Sequence, residues 1–148
     1  LTLFRDKIDD IMEQVKCPVA VFVNRNYREG ALVSFVLGGM IDVFLLSYLN
    51  IMLQNGHSVR LFLFETDDEE FHQCIDDLLA HYADQIVVVW FAEVEELVTK
   101  ERDGLLVMSH LSYTKLSEDE LVMRELSSLL VIRRNKNKGE KNERLEIG

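Results

Sequence analysis

Cysteine is scarce in this chain. Cys17 and Cys74 are the two present, and they have neither Cys-x-x-Cys spacing nor the density of a disulfide scaffold, so the expectation is a pair of reduced thiols in a cytosolic setting. Positive charge is also in deficit: 16 Lys and Arg stand against 26 Asp and Glu, a formal charge of -10. Such a surface repels phosphate backbones, which argues against a general nucleic-acid binder. The histidines His57, His72, His81 and His110 have no zinc-ligand spacing, and no metal site is expected. No Gly-x-Ser-x-Gly or P-loop motif occurs, so no residue set supports catalysis and the chain is expected not to be an enzyme. There is no initiating methionine or signal-peptide pattern before Leu1-Thr2-Leu3-Phe4-Arg5, which suggests a piece cut from a longer protein.

What is present is an alternation of apolar runs, punctuated first by Gly38-Gly39. The segment from Ala31 to Leu53 is long enough to cross a bilayer, which takes about 20 apolar residues. However, the two glycines interrupt it, and Asp42 and Asn50 lie within it; each polar group is costly in hydrocarbon. The better reading is strand, tight turn, helix. Ile41 to Asn55 is apolar on nearly all sides and predicts a well-buried helix, stopped by Asn55-Gly56. Val59 to Phe64 is a strand, and Thr66-Asp67-Asp68-Glu69-Glu70 caps a helix whose inner stripe is Phe71, Ile75, Leu78 and Tyr82. On that helix, His72 with Asp76 and Asp77 with His81 are spaced for surface pairs, while Cys74 is expected to be a buried, inert thiol. Ile86 to Phe91 is a continuous β-branched run, expected where both faces are covered, and reads as a central or well-shielded strand. A short helix over Glu93 to Arg102, a strand from Leu105 to Met108, a helix opened by the box Ser117-Glu118-Asp119-Glu120, and a strand from Ser128 to Ile132 complete the alternation.

Strands alternating with helices imply an α/β fold, three-layered, with a mostly parallel five-stranded sheet and helices on both faces. An extra helix (Leu3 to Val15, with Phe4, Ile8, Ile11, Met12 and Val15 on one face) and an extra strand (Cys17 to Val23) precede it. Helix, apolar strand and basic exit recur at the end of the chain, so residues 1–27 read as the last helix and strand of a preceding related unit. Residues 28–135 are then the α/β domain, and 136–148 a charged, poorly ordered tail.

Ligands of open parallel sheets bind beyond the carboxyl ends of the strands, where strand order reverses. Two segments are candidates for ligand binding. Gly38-Gly39 serves as a tight turn or, with its bare backbone, as a phosphate cradle, although the Gly-x-Gly-x-x-Gly spacing is missing. The expected loop from Ser109 to Lys115 offers Ser109, His110, Ser112 and Thr114 but no glycine for an anion nest.

The strand Val19-Ala20-Val21-Phe22-Val23-Asn24-Arg25, the strand running into Gly38-Gly39 and the final run Leu129-Leu130-Val131-Ile132 together resemble the cytoplasmic C-terminal region of monovalent cation:proton antiporters. That region has a universal-stress-protein-like fold, of the adenine nucleotide alpha hydrolase type, following a membrane transporter domain. Asn24-Arg25 stands where the family has Asp-Arg, and Gly38-Gly39-Met40-Ile41-Asp42 keeps the glycines of Gly-Gly-Pro-Asp-Asp but loses the Pro-Asp. The resemblance implies a non-catalytic regulatory domain on the cytoplasmic side of the cell membrane, in an integral Na+/H+ or K+/H+ antiporter. Its partners would be the transporter domain of the same parent chain and a second copy in a homodimer; no nucleic-acid partner and no direct membrane insertion of this piece are expected. It also implies that Val19, Val21 and Val23 pair with Leu129 and Val131, within one chain or across two. The alternative is a free-standing adenine-nucleotide-binding universal stress protein. The segment Ser109 to Lys115 lacks that family's Gly-x-x-Gly motif, so an adenine nucleotide is a candidate cofactor on resemblance alone and no cofactor is certain.

Overall fold

The computed structural model describes residues 2–14 and 16–134, with the side chains of 2–6 left out. Phe4, Val15 and the tail 136–148, all invoked above, lie outside the described residues or side chains. The chain runs α1 (Thr2–Gln14), β1 (Val19–Val23), β2 (Val33–Leu37), a 3-10 turn (Met40–Leu45), α2 (Leu46–Gln54), β3 (Val59–Phe64), α3 (Glu69–Tyr82), β4 (Ile86–Phe91), a 3-10 turn (Val94–Leu97), β5 (Leu105–Ser109), α4 (His110–Leu116), α5 (Glu120–Glu125) and β6 (Ser128–Arg133). A 3-10 turn over Ala83–Gln85 joins α3 to β4.

The sheet has the order β1-β6-β5-β2-β3-β4, parallel except for the β1–β6 pair. It therefore holds six strands: the five expected ones, and β1 added antiparallel along β6 instead of standing apart. Val19, Val21 and Val23 face Arg133, Val131 and Leu129 within the single chain. α1 and β1 are built into this body, because Ile8, Met12 and Val23 share a core with Leu106, Met108, Val122 and Leu129.

Alternation along the strands makes two cores. In β2, Val36 points into the core under α1, α4 and α5, while Phe35 and Leu37 point into the core under α2 and α3. Apolar runs with no polar alternation are what a sheet covered on both faces requires.

Local structure departs from expectation in several places. Ile41 to Asn55 is a 3-10 turn and then an α-helix with a single buried edge (Leu45, Leu49 and Leu53), while Ile51 is 57% exposed. Packing against one sheet covers only one side of a helix. The helix expected over Glu93 to Arg102 contracts to the turn Val94–Leu97, with Val98 already extended. Ser117 closes α4 instead of opening α5; Asp119 opens it, accepting from the Val122 N–H at 3.1 Å. Both expected histidine–carboxylate pairs are replaced. His72 donates from Nε2 to the Thr66 carbonyl (2.8 Å) and stacks on Trp90, and His81 turns to the Asp77 carbonyl (3.1 Å). The Cys74 thiol is half-buried, not fully buried. The continuous run β4, read as central, is an outer strand.

Among the described residues, no helix is long and apolar enough to cross a membrane.

Candidate functional site

The chain leaves β2 for β3 and β4 on one side, then returns to lay β5 against the opposite side of β2. The order therefore reverses between β2 and β5. Their pairing ends early, at Phe35 with Val107, whereas β2 follows β3 to Leu37 and β5 follows β6 to Ser109. Past Phe35 and Val107 the two central strands part, opening a crevice at their carboxyl ends.

A single carboxylate closes it. Asp42 is 1% exposed. Its Oδ2 accepts from the Gly38 N–H at 2.7 Å and the Ser112 hydroxyl at 2.7 Å; its Oδ1 accepts from the Ser109 hydroxyl at 2.6 Å. A buried carboxylate is tolerable only with such partners, and three short donors from both sides of the crevice provide them. Gly39, at φ 154°, turns the chain so that Asp42 folds back, and the Asp42 N–H donates to the Gly39 carbonyl at 3.0 Å. Space at Gly38 is tight: an added Cβ would lie 3.3 Å from both Asp42 Oδ2 and Ser112 Oγ.

The segment Ser109 to Lys115 is not a loop. It is the cap and nearly all of α4, which springs directly from β5 with Ser109 as its cap: the Ser109 hydroxyl oxygen accepts from the Ser112 N–H at 3.1 Å while donating to Asp42. A capped helix needs no glycine, so the missing anion nest has a structural cause. Of the residues singled out in sequence, Gly38, Ser109 and Ser112 meet on Asp42. Gly39 shapes the turn. Thr114 and His110 stand aside: the Thr114 hydroxyl donates to the His110 carbonyl at 3.0 Å, and His110 Nε2 sits 2.8 Å from Asp9 Oδ1, tying α4 to α1.

Two clefts flank Asp42. One, of about 210 Å³, is apolar, walled by Val36, Phe64, Phe91, Met108 and Leu111 with Lys115 and Ser112 as polar members. The other, of about 260 Å³, has Ile41, Phe44, His110 and Thr114 on one side and Arg133 and Arg134 on the other. The Arg134 guanidinium lies 5.4 Å from the centre of the Phe44 ring, and Arg133 donates from Nη2 to the Cys17 carbonyl at 2.8 Å.

Two chemical consequences follow. The Ser109 and Ser112 hydroxyls have the Asp42 carboxylate as partner and no histidine, because the nearby His110 imidazole faces Asp9. A phosphate at the glycine turn requires the Gly38 N–H, which Asp42 already holds, and would meet a like charge there. Sequence reasoning missed Asp42 as the organiser of the site. Its signal was available, since an aspartate inside an apolar run, four residues after a glycine, must find donors if that run is buried.

The chain matches no protein-family model, no curated protein and no solved structure.

Proposed function

We propose that this chain is a non-catalytic regulatory domain of a monovalent cation:proton antiporter, with a universal-stress-protein-like fold. It would lie on the cytoplasmic side of the membrane and act through the transporter domain of its parent chain. One observation carries the non-catalytic part. At the strand reversal, where an α/β sheet places its ligand or its catalytic groups, Asp42 takes up the Gly38 amide and the Ser109 and Ser112 hydroxyls. That leaves a pinned junction flanked by two modest clefts, suited to holding two layers in fixed register. The antiporter assignment rests on the resemblance of Val19 to Arg25, Gly38-Gly39 and Leu129 to Ile132. A regulatory domain biases transport by having different contacts in the two states of the transporter.

The parent gene tests the assignment. Upstream of Leu1 it is expected to encode about ten apolar segments of spanning length, and a reading frame that starts at or near Leu1 overturns the proposal. The competing adenine-nucleotide reading has its own assay. ATP at a hundredfold excess over Kd would stabilise a binder by about 2.7 kcal/mol. The expected thermal-unfolding profile is flat across ATP, ADP and AMP; a saturable rise in Tm would put the nucleotide-binding reading in its place.

A further inference from the structure

The sequence of β4 and its place in the sheet disagree. Ile86-Val87-Val88-Val89-Trp90-Phe91 has no charge, proline or glycine, the composition of a strand covered on both faces, yet among the described residues it pairs only with β3 and leaves Val87 exposed. Proteins blunt exposed edges with lysine, proline, bulges or shortness. The opposite edge is guarded at its start, where Pro18 directly precedes β1. β4 has none of these guards, and Val87 is 63% exposed on it.

The free backbone groups of this edge can be assigned. The Glu65 N–H donates to the Phe91 carbonyl at 2.9 Å, so the peptide groups of Phe91 point toward β3. By alternation those of Val89 and Val87 do too, leaving the N–H and C=O of Ile86, Val88 and Trp90 facing outward. Water meets these groups in the lone chain, and another extended strand meets the whole row at once.

We infer that β4 is a self-association edge, on which a second copy of this chain adds its own β4 antiparallel about a two-fold axis through Val88. The run is self-complementary in that register. Val88 exchanges both hydrogen bonds with its mate, and Ile86 does so with the mate's Trp90. On the face away from α3, the exposed Val87 packs beside the mate's Val89. Each contact is apolar against apolar, so the strands meet without like charges even though each copy carries a net charge of -10. Two sheets join into one continuous sheet. β6 is closed to this role, having β5 on one side and β1 on the other. The inference does not rest on the antiporter reading, because self-association is a property of the chain alone.

Sedimentation equilibrium of the full chain over a wide concentration range is the test, with three variants. The wild type is expected to pass reversibly from monomer to dimer. Val87→Lys, at an exposed position, should raise the dimer dissociation constant roughly tenfold or more by adding charge to the seam, while its far-UV circular dichroism and urea midpoint stay near wild type. Should Val87→Lys fail to fold, Val87→Thr is read instead, a near-isosteric change that puts a hydroxyl on the exposed side of the seam. Phe22→Lys, on the far edge, should dimerise like the wild type. A wild type that is monomeric throughout overturns the inference, as does a folded β4 variant with undiminished dimerisation, or a loss of dimer in Phe22→Lys.

Discussion

Asp42 illustrates how much one side chain can decide. Removing it would take the acceptor from the Ser109 and Ser112 hydroxyls and from the Gly38 N–H, and a buried donor left unmet costs about 1–3 kcal/mol. Asp42→Ala is therefore expected to lose about 3 kcal/mol or more in urea unfolding, whereas Asp42→Asn, which keeps one acceptor oxygen, loses less. A variant as stable as wild type would mean that the carboxylate is not the pin between β2 and β5. Gly104 imposes a different constraint: an added Cβ would lie 2.7 Å from the Leu32 carbonyl, which accepts the Leu105 N–H at 3.0 Å. Gly104→Ala should therefore push apart the entry to β2 and β5 and strain the Leu105–Leu32 hydrogen bond, lowering Tm.

Among the elements, the caps carry a pH dependence. The turn Val94–Leu97 is closed by a reciprocal box in which the exposed Glu96 carboxylate accepts from the Ala92 and Glu93 N–H groups at 2.8 and 2.9 Å. These two backbone donors, that of Glu93 first, hold the Glu96 carboxyl below its ordinary value of 4.5. Glu101 is lowered as well, first by its own backbone N–H and, against the opposing effect of burial, by Arg60 at 3.0 Å. A carboxyl whose pKa is lower folded than unfolded adds stability that is complete above the unfolded value and is lost as pH falls through the folded one. Tm is thus expected to hold near neutrality and to drop below about pH 4.5. Glu96→Gln should lower Tm at pH 7 and narrow its difference from the value at pH 3. An unchanged acid limb would show that the box adds nothing to stability.

For the whole molecule, the question is what residues 1–27 do for the rest. Arg25 answers part of it: its guanidinium donates to the carbonyls of Met123 and Leu126 at the end of α5, and its backbone N–H to the Ser128 hydroxyl at 2.7 Å. Burial lowers the pKa of this arginine, with Tyr113 opposing. The strand that follows Pro18 also covers the edge of β6, and α1 adds Ile8 and Met12 to the core. Deleting residues 1–27 should therefore expose the Val131 edge and part of the core, and gel filtration is expected to show aggregation or a new dimer through β6. A truncated chain from residue 28 onward that elutes and associates like the intact one would show that the first helix and strand are dispensable.

How much of this was legible beforehand differed from place to place. Strand positions were, because runs such as Val59 to Phe64 are local signals of apolar content and β-branching. The two candidate segments were legible as the ends of separate strands, but the strand order that brings Gly38 and Ser109 to one crevice was not. The edge position of β4 was not, because its composition is that of a central strand and no local term says how many neighbours a strand will have. Nor was the helix at Ser109 to Lys115, whose cap had been read as a loop hydroxyl.

By itself the sequence determined the alternation of elements and the two-sided apolar character of the strands, both properties of short-range pattern. Tertiary structure alone decided which strands became edges, that β1 would close β6, and that Asp42 would meet donors lying 67 and 70 residues away in the chain. Those outcomes depend on which surfaces remain unburied once the layers have stacked, and packing between distant segments is the only thing that sets them.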